Sequence, residues 1–260
     1  MRALKEEAGR VYPATINSFR ARLFGGGVGL EEQREAEGLE RVVREAVERV
    51  LSLGLGLVLG LGTGRTSARF IGELARAAPP GAVECVIPTS FQSETAASKA
   101  GFRIGSLANY PSIDVYVDSF DQCNVRGDSI KGMGGALARE KLLMTLASSV
   151  ILIGTEDKLS ETLNIPVPIE VLTFAAPAIP ILLQRKGWRA IERTSQGKAG
   201  PVITDNGNIL MLADVGAINE PEKTEWELKV TPGVVEVGLC PRRGYRVLIG
   251  RRGGELLEIG

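Results

Sequence analysis

Histidine is absent from the whole chain, and that gap removes Ser-His-Asp and Cys-His triads, histidine zinc sites and histidine general bases together. Any acid–base chemistry therefore falls to carboxylates or lysines. Cysteine is almost as scarce. Cys85, Cys123 and Cys240 form an odd, widely spaced set with no CxxC pair, which argues against a disulfide framework and for buried, inert thiols in a reducing compartment. Net charge is missing too: 31 Lys and Arg balance 31 Asp and Glu. No overall field draws the chain to nucleic acid or to an anionic membrane, so any attraction for an anion has to be local. The longest apolar run, around residues 53–61, falls far short of the ~20 residues that span a bilayer and is broken by glycine. Residues 1–30, dotted with arginine, hold neither the apolar core of a signal peptide nor a basic helix-turn-helix segment.

What is plentiful is glycine, 32 residues without a collagen period or a low-complexity tract, so the glycines punctuate loops. At 260 residues the chain can bury a full core as one large α/β domain or as two unequal ones, and the pattern favours two. Residues 1–30 read as an N-terminal extension of unknown order, with at most a short helix before Gly25. From 31 to 52, Leu39, Val42, Val43, Ala46, Val47, Val50 and Leu51 recur at helical spacing and predict an amphipathic helix. Strand and helix patterns then alternate: strand 55–61, helix 66–78, strand 83–87, helix 93–100, strand 113–117, helix 135–147 and strand 150–153. Such alternation implies a Rossmann-like parallel sheet with right-handed crossovers.

Pro166-Val167-Pro168 breaks this pattern and marks a boundary. Beyond it come strand 169–173, helix 177–186, strand 188–193, a turn at Asp205-Asn206-Gly207-Asn208 and helix 218–228, the order of a small α+β (ferredoxin-like) domain with an antiparallel sheet. Segments 245–249 and 255–259 read as a closing hairpin. The fold class is therefore α/β, with a Rossmann-like domain over 31–165 and 233–260 and a smaller α+β domain over 166–232.

Four features could carry chemistry. The loop Gly60-Leu61-Gly62-Thr63-Gly64-Arg65-Thr66 lies between a buried strand and a helix, where backbone N–H groups and the helix dipole suit a phosphate. It is neither a Walker loop nor a dinucleotide fingerprint, and it reads equally as a tight strand-to-helix turn. Asp118-Ser119-Phe120-Asp121 follows a strand, so its carboxylates project at the edge where α/β sheets bind ligands, unless they merely cap a surface turn. In the run from Lys131 through Gly132, Met133 and Gly134, Glu140 shares a helix face with Ala136, Leu143, Met144 and Ala147. Desolvation on that face should raise its pKa as a general base requires, although a structural ion pair explains the placement as well. Lys158 follows a strand end and is either an anion ligand or a solvated lysine.

In order and spacing, Gly62-Thr63-Gly64-Arg65-Thr66, Asp118-x-x-Asp121, the Lys131-Gly132-x-Gly134 run with Arg139-Glu140-Lys141, and Lys158 resemble the A-type ribose-5-phosphate isomerase family. The resemblance continues through Pro166-Val167-Pro168-Ile169-Glu170-Val171, Thr204-Asp205-Asn206-Gly207-Asn208 and Pro232-Gly233-Val234-Val235-Glu236, and so spans roughly residues 38–260. It implies interconversion of ribose 5-phosphate and ribulose 5-phosphate through an enediolate, in the non-oxidative pentose phosphate branch, with no metal and no cofactor. Glu140 matches the family's base, Lys131 the lysine that steadies the oxyanion, and Asp118 and Asp121 the carboxylates that relay hydroxyl protons. Thr63, Gly64, Arg65, Thr66, Ser119, Phe120, Gly132, Met133, Gly134 and Lys158 match substrate-binding positions. The resemblance also implies a cytoplasmic homodimer or homotetramer that binds a sugar phosphate and neither nucleic acid nor membrane.

The chain departs from the family pattern at a few positions. Ser119-Phe120 stands where the family usually has Gly-Ala, which sets an aromatic beside the expected sugar pocket, and Gln122 replaces an acidic residue. Arg65 and Asp157 each stand where serine is usual. The rival readings are a sugar-phosphate sensor without catalysis and an isomerase retuned to another sugar phosphate. The presence of Glu140, Lys131 and both aspartates argues against the sensor.

Overall fold

The structure, a computed structural model, describes residues 30–260; the extension read at 1–30 otherwise lies outside the described residues. Its first helix, α1 (Leu30–Ser52), buries the stripe Val42, Val43, Ala46, Val47 and Val50 that the sequence pattern picks out. There follow β1 (Leu57–Leu61), α2 (Arg65–Ala77), β2 (Val83–Pro88), α3 (Phe91–Lys99), β3 (Ile113–Ser119), β4 (Gln122–Asn124) and β5 (Ser129–Ile130). Then come α4 (Leu137–Leu146), β6 (Ala147–Thr155), β7 (Leu159–Ser160), β8 (Val167–Val171), α5 (Ile179–Gln184), β9 (Arg189–Glu192) and β10 (Ile209–Asp214). The chain closes with α6 (Pro221–Lys229), β11 (Val234–Val237), β12 (Leu239–Cys240), β13 (Arg246–Gly250) and β14 (Leu256–Ile259).

The large sheet runs β14-β13-β6-β3-β1-β2, parallel throughout except for the antiparallel edge strand β14. Its central strands are apolar on both faces because both are covered. On one face α1 and α2 enclose Leu59, Val115, Val117, Ile151 and Ile153; on the other, Leu143 of α4 packs with Ile113, Tyr116, Leu152 and Val247. From β1 the chain passes through α2 to β2 at the sheet edge, and from β2 through α3 to β3, which pairs with β1 on the side away from β2. The strand order therefore reverses between β1 and β3, and a crevice opens at their carboxyl ends.

The second sheet, ordered β11-β8-β10-β9 and antiparallel throughout, is built from β8-α5-β9-β10-α6-β11. This is the ferredoxin-like arrangement expected of the small unit. Two expectations need correction. The strand read from 169 begins at Val167, so that Pro168 lies inside β8, opposite Leu212, and its carbonyl accepts a bond from the Gly238 N–H. The boundary expected at 232/233 also falls too early, because β11 pairs with β8 and belongs to the small sheet. A third sheet, β12-β5-β4-β7, ties the two units together with strands too short to show a period of two.

Helix α1 reaches the large sheet through facing glycines. A Cβ on Gly38 would sit 2.7 Å from the Arg251 carbonyl oxygen, and one on Gly250 would overlap the Gly38 carbonyl. Neither glycine has a positive φ, so the requirement is close approach alone. Gly250→Ala should therefore destabilise the fold by about 1–3 kcal/mol, read as a lower urea midpoint at unchanged slope; an unchanged midpoint would show that α1 yields without cost.

Candidate active site

At the carboxyl end of β3, Asp118 turns its side chain into the crevice and is 1% exposed. There is room for it only because β1 runs into Gly62, where any Cβ would overlap the Asp118 carboxylate. One oxygen, Oδ1, accepts bonds from Ser67 Oγ at 3.1 Å and from the Ser119 amide at 2.7 Å. The other, Oδ2, accepts the Tyr116 hydroxyl at 2.5 Å and pairs with Lys131 Nζ at 2.7 Å. Burial followed by the neighbouring carboxylates holds the Tyr116 hydroxyl well above its usual pKa, so it remains a donor.

Lys131 is 2% exposed, and its ammonium also pairs with Oε2 of Glu140, itself 3% exposed. One buried cation thus serves two buried carboxylates. Burial disfavours the Lys131 charge, but Asp118 and Glu140 outweigh it and raise its pKa above the usual lysine value. The frustration falls on Glu140: burial, then repulsion from Asp118, pushes its carboxyl up to about 7 against the pull of Lys131. The sequence places Glu140 here through the apolar face of α4, where Leu137 and Leu143 are buried beside it. Asp121 sits half-buried at the rim. Burial raises its pKa, while the Met133 amide bonded to it at 3.0 Å, Lys158 and Lys131 pull the other way.

The 62–66 loop forms the facing wall. Thr63 Oγ1 bonds Thr89 Oγ1 at 3.0 Å and Ser90 Oγ at 2.7 Å, and the Gly64 amide donates to Gln92 Oε1 at 3.0 Å. Gly64 has φ 114°, a conformation that glycine takes without strain, and it starts α2 without a side-chain cap. The first-turn amides of α2, at Arg65, Thr66 and Ser67, therefore face the crevice edge without intrahelical acceptors. Across from them lie Gly132, whose φ is 100°, and Gly134, where a Cβ would meet Thr63 Cγ2 at 3.3 Å. Lys158, in the turn after β6, donates to the Phe120 carbonyl at 2.7 Å. Arg65 is exposed at the mouth.

Of the expected residues, Asp118, Ser119, Lys131 and Glu140 are joined by direct bonds, Asp121 accepts the Met133 amide, Lys158 reaches the Phe120 carbonyl, and Gly134 approaches Thr63. The Phe120 ring does not line the crevice: it is 1% exposed and packs in the core against Gly154, where any Cβ would strike it. Only the Phe120 backbone remains at the rim. The sequence reading missed Tyr116, Ser67 and the Thr89–Ser90–Gln92 support of the loop. Tyr116 was within reach, since it stands two residues before Asp118 on the same strand face; the others meet the site through tertiary contact alone.

Two buried carboxylates sharing one lysine at the switch point of a doubly wound sheet define an α/β enzyme of acid–base chemistry. Comparison with known proteins is specific. The family model described as ribose 5-phosphate isomerase A (phosphoriboisomerase A) matches residues 85–254. Ribose-5-phosphate isomerase A of Natronomonas pharaonis is 39% identical over 226 residues, covering 87% of this chain and 96% of that protein. The Thermococcus kodakarensis protein of the same name is 37% identical over 227 residues, covering 86% and 96%. The solved ribose 5-phosphate isomerase A of Methanocaldococcus jannaschii has a TM-score of 0.79 at 33% identity, covering 86% of this chain and 99% of that one. A D-ribose-5-phosphate isomerase solved in complex with phospho-erythronic acid has a TM-score of 0.79 at 35% identity, covering 86% and 97%. The chain belongs to the ribose 5-phosphate isomerase A family.

The raised Glu140 pKa carries a stability signature. The folded carboxyl keeps its proton to about pH 7, whereas an unfolded one sheds it near 4.5, so the folded state binds more protons in that window and this group opposes folding increasingly as pH rises through it. Glu140→Gln cannot ionise. It should stabilise the chain relative to wild type at about pH 8 and lose that advantage at about pH 5, as read by denaturant unfolding at both values; a variant relatively less stable at the higher pH contradicts the buried-charge account.

Proposed function

We propose that the chain interconverts ribose 5-phosphate and ribulose 5-phosphate by carrying one proton between C1 and C2 on Glu140. The observation that supports this most strongly is the Lys131 ammonium held between Asp118 and Glu140, with the Glu140 carboxyl raised to about 7. A carboxyl near neutrality both accepts and returns a proton.

In the forward direction Glu140 takes the proton from C2, the C1–C2 bond gains double-bond character, and the former C1 carbonyl oxygen becomes an enediolate oxygen. Lys131 is already oriented and charged where that negative charge develops, so its stabilisation needs no reorganisation. Asp121, half-buried and with its pKa raised by burial, passes the hydroxyl proton from O2 to O1 in this reading. Glu140 then delivers its proton to C1. Asp118 holds Lys131 in place with help from Tyr116 and Ser67.

The phosphate is assigned to the 62–66 loop, through the first-turn amides of α2 and the Arg65 guanidinium, with Thr63, Ser119, Gly132, Met133, Gly134 and Lys158 completing the walls. Arg65 adds a fork of donors that a serine lacks. That a relative has been solved with phospho-erythronic acid supports a ligand of this class, a short sugar skeleton with a phosphate at one end. No metal or organic cofactor is invoked, because Lys131 supplies the cation. Three buried thiols support a cytoplasmic setting. Solvent-facing Leu172, Phe174 and Ile181 of the small unit support assembly into a homodimer or homotetramer.

Glu140→Gln should lower kcat by about 10²–10⁴-fold while sugar phosphate binding stays within about tenfold. In the wild-type protein, kcat/KM should rise with pH through about 7 as Glu140 loses its proton. Isomerisation in deuterated water, followed by NMR, should place deuterium at the transferred position. Saturable binding without turnover would instead identify a sensor, and full activity in the Gln variant would remove Glu140 as the base.

A further inference from the structure

A buried carboxylate outside the reacting centre organises a turn that touches both walls of the crevice. Glu170, on β8, is fully buried. Its Oε1 accepts from Thr204 Oγ1 at 2.9 Å, Asn206 Nδ2 at 3.0 Å and Asn208 Nδ2 at 2.7 Å. Three donors on one oxygen mould the 204–208 turn, in which Gly207 takes φ 81° and the Thr204 amide donates to the Asn208 carbonyl.

The outer side of that turn has two ties. Arg139, next to Glu140 on α4, donates from Nε to Asn206 Oδ1 at 2.7 Å and from Nη2 to the Asp205 carbonyl at 2.9 Å. The Asp205 carboxylate accepts the Phe91 amide at 2.8 Å, at the first turn of α3, where a negative charge also meets the positive end of the helix. The next residue, Gln92, holds the Gly64 amide, and the preceding Ser90 holds Thr63. One turn of the small unit is thus bonded to the helix that carries Glu140 and to the helix start that supports the 62–66 loop.

We propose that Arg139 and Asp205 are positioning residues. Joined by the Glu170-moulded turn, Arg139 sets the base and Asp205 sets the anion loop, so the small unit fixes both walls of the crevice at once. The proposal rests on Glu140 being the base and the 62–66 loop being the phosphate seat. It divides the kinetic parameters between the two residues, which a merely structural role would not do.

The test is steady-state isomerisation by the full chain with ribose 5-phosphate. Asp205→Ala should raise KM about tenfold with kcat within about twofold, since it loses a charge-assisted bond on the phosphate side alone. Asp205→Asn, which keeps an oxygen for the Phe91 amide, should restore KM to within about twofold. Arg139→Gln should lower kcat about tenfold with KM within about twofold, because a small displacement of the base is costly. It should also move the acid limb of the pH profile to higher pH, as Glu140 loosens from Lys131. If both substitutions change the same parameter, or lower only the melting temperature, the proposal fails. An inactive Glu140→Gln alongside such unsplit variants would sink the positioning role alone, whereas an active one would sink the underlying site reading.

Discussion

The ammonium of Lys131, enclosed between Asp118 and Glu140, is the interaction on which the rest of the site depends. Burying any of these three ions alone would cost several kcal/mol, and together they still leave one negative charge in excess. Much of the surrounding structure answers that imbalance. Tyr116, Ser67 and the Ser119 amide complete the bonding of Asp118, which leaves Glu140 as the group that gives way by holding its proton to near neutrality. The raised Glu140 pKa comes first from burial and then from the neighbouring Asp118 charge, which together outweigh Lys131.

Both units of the molecule hold this cluster in register. The Lys131 amide donates to the Gly238 carbonyl, and Gly238 lies so close that a Cβ there would overlap the Lys131 carbonyl oxygen. Lys141, on the other side of Glu140 from Arg139, spans to the carbonyls of Val237 and Leu239 and to Glu225. Glu140, the proposed base, therefore sits on a helix tied at one flank to the 205–206 turn and at the other to Val237, Leu239 and Glu225, while Asp118 and Tyr116 come from the parallel sheet. A group held between two units in this way has little freedom to leave its place, which is what preorganisation of the proposed base would require.

Local pattern made part of this legible. The α1 stripe from Val42 to Val50, the glycine loop after β1, Asp118 at a strand end and Glu140 on an apolar helix face each follow from period, glycine placement or an out-of-place charge; the structure buries the stripe in the core and brings the other three to one crevice. What could not be read depended on residues distant in sequence. Phe120 looked like a pocket wall because it follows Ser119 at the strand end, yet Gly154 on the neighbouring strand leaves the hollow that its ring fills. The strand read from 169 takes in Pro168 as well, because its missing N–H is tolerated within β8, where its carbonyl still bonds Gly238. Strands β4, β5, β7 and β12, of two or three residues each, carry too few positions for alternation to mark them.

The central claim is that one lysine shared by two buried carboxylates leaves Glu140 poised near neutrality. The most direct measurement is a pH titration of the Glu140 side-chain carboxyl by carbon-13 NMR in selectively labelled protein, with Asp118→Asn as the companion. The account predicts a midpoint of about 7 in the wild-type chain and a lower one in the variant, where the repelling charge is gone. A wild-type midpoint at the ordinary carboxylate value of about 4.5, or one that Asp118→Asn leaves unmoved, would contradict it.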